Sequence, residues 1–276
     1  MHLSYLPFDL TLLIKLKLKT IIYQSSKIFY RTIGNGRLVV LIHGFAEDGE
    51  IWKNQIEFLQ QHFTLLIPDL PGSGQSSMIQ DMSIDGMAEV IKYILDKEKM
   101  EACTMLGHSM GGYITLAFAE KYLDNLVSFG LVHSTAFADS EEKKTNRLKS
   151  IVFVKKNGAF EFLKAVITDL FTENWYVNNS KFVNELIEKS RNFKDEAIIA
   201  YYQAMINRPD RTKVLKTTNK PVLFVIGEHD KAVPFKQSLQ QCHLPVQSSI
   251  QILRNSAHMG MWEEAGKLNS ILKDFS

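Results

Sequence analysis

The sequence predicts an α/β fold, with a mostly parallel sheet covered by helices on both faces and a helical cap inserted late in the chain. Three observations lead there. Short apolar runs alternate with amphipathic stretches along most of the 276 residues, the pattern of strands buried on both sides and joined by helices. A serine flanked by glycines, Gly107-His108-Ser109-Met110-Gly111, joins the apolar run Ala102–Leu106 to a helix-like run from Tyr113 to Lys121. From about Ser134 to Thr218 the rhythm changes to charged, helical segments without a clear buried strand.

Taken in order, Ile21–Gln24 and Lys27–Thr32 read as opening strands turned at Ser25-Ser26. Gly34-Asn35-Gly36 is a tight turn into the strand Arg37–Ile42. Glu50–His62 and Ser83–Glu98 carry helical periodicity, the second with Ser83 as its cap. Phe63–Pro68, Leu126–Val132 and Pro221–Ile226 are further buried strands. Inside the insertion, helices are expected to include Leu148–Phe153, Ala159–Phe171, Phe182–Phe193 and Glu196–Ile206. The chain thus divides into an N-terminal extension (1–19), a core (20–134 and 219–276) and a cap (135–218).

Composition narrows the partners. At 45% hydrophobic residues the chain can bury one large core. Its 32 basic and 30 acidic residues leave a net charge of +2, which argues against nucleic acid as a partner. Two cysteines, Cys103 in a strand and Cys242 near a helix end, make no disulfide framework, and a reducing, cytoplasmic setting is expected. Leu10–Leu18 is apolar but broken by Lys15 and Lys17, with Asp9 and no Lys or Arg before it. That pattern is neither a secretory signal nor a membrane span. The alternation from Ile14 to Lys19 fits an extension of the first strand; an interfacial anchor is the sharper alternative.

The serine motif carries the chemistry. On a sharp strand-to-helix turn, side chains at positions 107 and 111 would collide, so glycine stands at both. Ser109 is then exposed at the sheet edge above a helix N-terminus, which favours developing negative charge. Three other segments accompany it: His43-Gly44-Phe45-Ala46-Glu47-Asp48 after a strand, Asp69-Leu70-Pro71-Gly72-Ser73-Gly74 after another, and Gly227-Glu228-His229-Asp230 followed by Ser256-Ala257-His258-Met259-Gly260. In this order the four motifs resemble the α/β-hydrolase family, specifically its small lidded esterases, carbon–carbon-bond hydrolases and haloperoxidase-like enzymes. The resemblance runs from about Thr20 to the C-terminus and is least distinctive in the middle.

The resemblance implies an eight-stranded sheet and a division of labour residue by residue. Ser109 is the nucleophile, His258 the general base and later acid, and Asp230 the acceptor that orients His258. The backbone N–H groups of Phe45 and Met110 form the oxyanion hole. Glu228 competes with Asp230 for the acid, but the family places it three residues after the strand-ending glycine. His243 falls at the wrong sheet edge, and His43 and His108 are read as loop-shaping. Asp69 ties down its own loop and Asp48 caps a helix.

Serine rather than aspartate at the nucleophile position argues against dehalogenase and epoxide hydrolase chemistry. No H-E-x-x-H, paired C-x-x-C, EF-hand loop or G-x-G-x-x-G after a strand is present, so no metal or cofactor is expected. The expected partner is a small-molecule substrate, a carboxylic ester in the first reading. Other serine-based chemistry (amide, thioester or carbon–carbon hydrolysis, acyl transfer, perhydrolysis) is the second, and a ligand receptor retaining the three residues is the third. Cap aromatics, Phe153, Phe162 and Trp175 among them, are candidates for lining the pocket; the competing reading is that they hold the cap to the core.

Overall fold

The computed structural model describes residues 17–276, so the predicted N-terminal extension (1–19) and its stretch Leu10–Leu18 lie outside the described residues up to residue 16. Eight strands form one sheet: β1 Lys17–Tyr23, β2 Ser26–Gly34, β3 Leu38–Ile42, β4 Thr64–Pro68, β5 Cys103–His108, β6 Leu126–Val132, β7 Val222–Gly227 and β8 Ser248–Leu253. Their spatial order is β1-β2-β4-β3-β5-β6-β7-β8. β2 pairs antiparallel with both neighbours, and every pair from β4 to β8 is parallel. The central strands β5 and β7 are buried at every residue, as strands sandwiched between two helical layers must be.

The helices follow the crossover rule. Lys53–Leu59 (α1), Ile84–Lys97 (α2) and Met110–Lys121 (α3) connect the first parallel strands. Ser83 caps α2 as expected, accepting from Gly86 N–H at 3.0 Å. β1 and β2 turn at Gln24-Ser25, both with positive φ (45° and 73°), one residue earlier than the sequence suggested. Positive φ at both central residues is the type I′ form of a two-residue hairpin loop, and the register with β2 leaves this pair to supply it.

Between β6 and β7 lies the helical cap: Glu141–Asn157 (α4), Ala159–Ile167 (α5), Glu173–Asn178 (α6), Ser180–Lys189 (α7) and Asp195–Asn207 (α8), with Thr212–Thr217 (α9) leading back to the sheet. α4 runs well beyond the predicted Leu148–Phe153. Ser140 accepts from Lys143 N–H at 3.2 Å to start it, and two acidic residues occupy its first turn and two basic ones its last. Phe235–Leu239 (α10), Gly260–Glu263 (α11) and Ala265–Phe275 (α12) complete the chain. No helix among the described residues is long and apolar enough to cross a membrane.

Candidate active site

Parallel strands deliver their carboxyl ends to one edge, and the loops there collect the chemically capable side chains. Ser109 follows β5 with φ 49° and ψ −115°, a backbone that strains any residue bearing a Cβ by about 1–3 kcal/mol. The glycines explain why the turn closes. A Cβ on Gly107 would strike the Gly111 carbonyl, and one on Gly111 would lie 2.5 Å from Ile42 O. The turn is then tied to the end of β6: Ser109 N–H donates to Val132 O at 3.0 Å, and Ser134 Oγ donates to Ser109 O at 2.6 Å.

The loop after β3 passes directly against this serine, so close that a Cβ on Gly44 would sit 3.0 Å from Ser109 Cβ. Phe45 follows, and its ring packs on Tyr202 of α8 at 4.6 Å. Met110 is the first residue of α3, where a backbone N–H has no intrahelical acceptor. His43 holds the loop's base as a neutral imidazole: Nδ1–H donates to Gly44 O at 2.9 Å and Nε2 accepts from Leu70 N–H at 2.9 Å. Asp69 braces the adjacent loop, accepting from Arg31 at 2.5 Å and from Gly49 N–H at 3.0 Å.

Of the two acids after β7, Asp230 meets His258 and Glu228 is exposed. His258 Nδ1–H donates to Asp230 Oδ2 at 2.8 Å, while Oδ1 accepts from the backbone N–H groups of Ala232 and Val233, each at 2.9 Å. Burial alone would raise the Asp230 carboxyl. The facing imidazoles of His258 and His133 outweigh it and hold the carboxyl far below the usual range. The His258 loop is fixed on every side. Its N–H donates to Leu170 O of the cap at 2.9 Å, and Glu263 accepts from Ala257 N–H at 2.8 Å and from Thr172 N–H of the cap at 2.7 Å.

His108, read from the sequence as loop-shaping, and Glu47, placed there in a motif without a role, complete the arrangement. His108 Nδ1 faces Glu47 Oε2 at 3.0 Å and Nε2 faces His258 O at 3.0 Å. Both partners are acceptors, so the ring satisfies both only as an imidazolium. Burial would lower it, but Glu47 outweighs burial and raises it; burial would raise Glu47, and the charge and hydrogen bond of His108 bring it down. Glu47 also accepts from Gly44 N–H at 2.6 Å, so one carboxylate joins the loop of Phe45 to the loop of His258 through His108. These contacts join residues 61 and 150 positions apart, and no local spacing announces them.

That pair makes a pH-dependent contribution of known sign. The Glu47 share is present above its unfolded value near 4.5 and is lost as pH falls. The His108 share is complete below 6.5 and is lost as pH rises through its raised value. Glu47→Gln is therefore expected to cost about 3 kcal/mol at pH 6, with a smaller gap from wild type at pH 9. Urea unfolding at the two pH values checks this; an equal gap at both would contradict the ion pair.

His133, Asp230 and His258 are the described residues whose ligating atoms cluster, all within 4.8 Å of one another. Both imidazoles already hydrogen-bond Asp230 Oδ2, which accounts for the grouping. The cap aromatics divide in two. Phe162 meets Tyr202 at 5.6 Å, the ring on which Phe45 also packs, whereas Phe153 is 43% exposed and its ring meets that of Phe162. Trp175 stacks on Phe171 at 4.8 Å and meets Phe182, which packs on Trp262; that cluster fastens the cap to the end of the chain.

With this geometry in place, comparison with known proteins is direct. A family model described as the alpha/beta hydrolase fold matches residues 37–265. The chain belongs to the α/β-hydrolase fold family. An esterase from Thermogutta terrifontis, solved with malate bound, superposes on this α/β hydrolase with a TM-score of 0.87 at 26% identity, covering 94% of this chain and 97% of that one. A dihydrolipoyllysine-residue acetyltransferase component of an acetoin cleaving system from Cupriavidus necator is 27% identical over 250 residues, 89% of this chain. The chain spans only 65% of that relative's length. A 2-hydroxy-6-oxononadienedioate/2-hydroxy-6-oxononatrienedioate hydrolase from a Pseudomonas species is 24% identical over 91% of this chain and 92% of its own.

Proposed function

We propose that this α/β hydrolase is a serine hydrolase acting through an acyl-enzyme on small-to-medium carboxylic esters. The observation that carries the reading is the buried His258–Asp230 hydrogen bond of 2.8 Å at the sheet edge where strained Ser109 stands. Ser109 Oγ attacks the ester carbonyl as His258 Nε2 takes its proton, and Asp230 steadies the imidazolium. The N–H groups of Phe45 and Met110 hold the oxyanion. His258 returns the proton to the departing alcohol, then deprotonates a water that releases the acid from Ser109.

Segment 135–218 acts in this reading as the lid of a core formed by 20–134 and 219–276, and it brings no required catalytic group. It supplies an apolar wall that includes Phe162, a reading supported by the contact that Phe162 and Phe45 share with Tyr202. The buried, unpaired Cys103 and Cys242 suit a reducing, cytoplasmic setting. Carbon–carbon hydrolysis by the same three residues is the second reading, supported by the Pseudomonas relative.

An apolar closed pocket gains about 0.8 kcal/mol per buried methylene, roughly fourfold per carbon, until overpacking at its end reverses the trend. The expected kcat/KM across aryl esters of two to sixteen carbons is therefore peaked at short-to-medium acyl chains. Phe162→Ala is expected to move the peak to longer chains with a modest change in the best rate. A rate climbing steadily to sixteen carbons would refute the closed pocket, and turnover of a vinylogous diketone but of no ester would favour the second reading.

A further inference from the structure

Asp230 receives one hydrogen bond that the proposed chemistry does not require. His133, the residue after β6, directs Nδ1 at Asp230 Oδ2 from 3.3 Å, onto the same oxygen that faces His258 at 2.8 Å. With Ala232 and Val233 on Oδ1, all four acceptor positions of the carboxylate are filled. The ring is buried and the backbone of His133 lies at φ 50°, a conformation unfavourable to any residue with a Cβ.

The fold makes specific room for this ring. A Cβ on Gly260 would lie 2.5 Å from His133 Nε2, and one on Gly227 would lie 3.0 Å from its Cε1. Nε2 itself has no partner among the described residues. A strained backbone and an unpartnered nitrogen both oppose the ring's placement, two glycines make room for it, and its hydrogen bond is to the carboxylate that holds His258.

We propose that His133 is a positioning residue for the Asp230–His258 pair. Its Nδ1–H fixes the direction of Oδ2 and draws off part of the carboxylate's charge, so that His258 faces a carboxylate held in one orientation and shared with a second donor. This rests on the serine-hydrolase reading. Burial pushes the His133 imidazole down to about 4, so through the working range it contributes an N–H and no charge. The other groups facing the pair are His108, its ring 4.8 Å from that of His258, with Glu47 behind it. Glu263 lies beneath the Ala257 and Met259 N–H groups, and Lys143 Nζ reaches Ala232 O at 3.0 Å. None of these donates to Asp230 Oδ2.

The test compares the pH dependence of kcat/KM on an aryl acetate for wild type, His133→Gly and His133→Asn. Glycine accepts the backbone conformation and removes the ring; asparagine tolerates it and restores a donor. With His133→Gly the acid limb is expected to move up by about one pH unit and the plateau to fall roughly tenfold. His133→Asn is expected to bring the limb back to the wild-type position. An unmoved limb in a His133→Gly enzyme that turns over and takes a phosphonate at Ser109 would overturn the positioning role and leave the hydrolase reading intact. Should the glycine variant not fold, nitrogen NMR of wild-type His133 decides. Protonated Nδ1 and bare Nε2 at neutral pH support the proposal, and the opposite tautomer defeats it.

Discussion

Ser109→Ala is expected to lower kcat on a good aryl ester by about 10⁵–10⁶-fold while leaving the protein folded. The effect is large because the serine is the proposed bond-forming atom, and the loss would be absolute but for what the oxyanion donors and binding achieve without it. Stability changes little. Alanine inherits the same φ of 49°, and the Ser109 side chain makes no capping hydrogen bond among the described residues. The turn's anchors are backbone ones, Ser109 N–H to Val132 O and Ser109 O from Ser134 Oγ, and they survive the substitution. Steady-state kinetics with a thermal melt checks both halves. A variant retaining a tenth of wild-type turnover would move the nucleophile elsewhere.

Asp230→Asn is expected to cost about 10⁴ in kcat. Two backbone N–H groups hold Oδ1, so the carbonyl oxygen of an asparagine would keep that position and turn its NH₂ toward His258. His258 Nδ1 would then have to accept, placing the ring's proton on Nε2, where it cannot receive the one from Ser109. Glu228→Gln is expected to cost tenfold or less, because its side chain is exposed and only its backbone N–H is engaged, with Leu253 O. The reverse ranking in purified protein would reassign the acid.

How legible all this was depended on range. The turn at Ser109 could be read locally, since the steric demand and the glycines that meet it fall within five consecutive residues. The sheet was readable for a related reason: strands buried on both faces must be almost wholly apolar, as β5 and β7 are. The hairpin at Gln24-Ser25 was misplaced by one residue because neither residue is a usual left-handed turn former. α4 was foreseen only in its apolar half, its polar first turns being visible through the Ser140 cap alone. In the sequence Glu47 has a place in a motif but no role, and His133 is not singled out. Each acquires its role from a partner 61 or 97 positions away, and only the strand order brings them together. Their signal was a buried-looking position held by a titratable residue beside a strand end, which many loops share.

The central claim is a covalent acyl intermediate on Ser109, and intact-protein mass spectrometry during turnover of an aryl ester tests it most directly. Quenched in acid within the first turnovers, the protein is expected to gain one acyl group, which peptide mapping places on the segment containing Ser109 and which Ser109→Ala never acquires. An acyl group mapped to another residue, or full turnover with no adduct in wild type or in a slowed Asp230→Asn enzyme, would contradict the account.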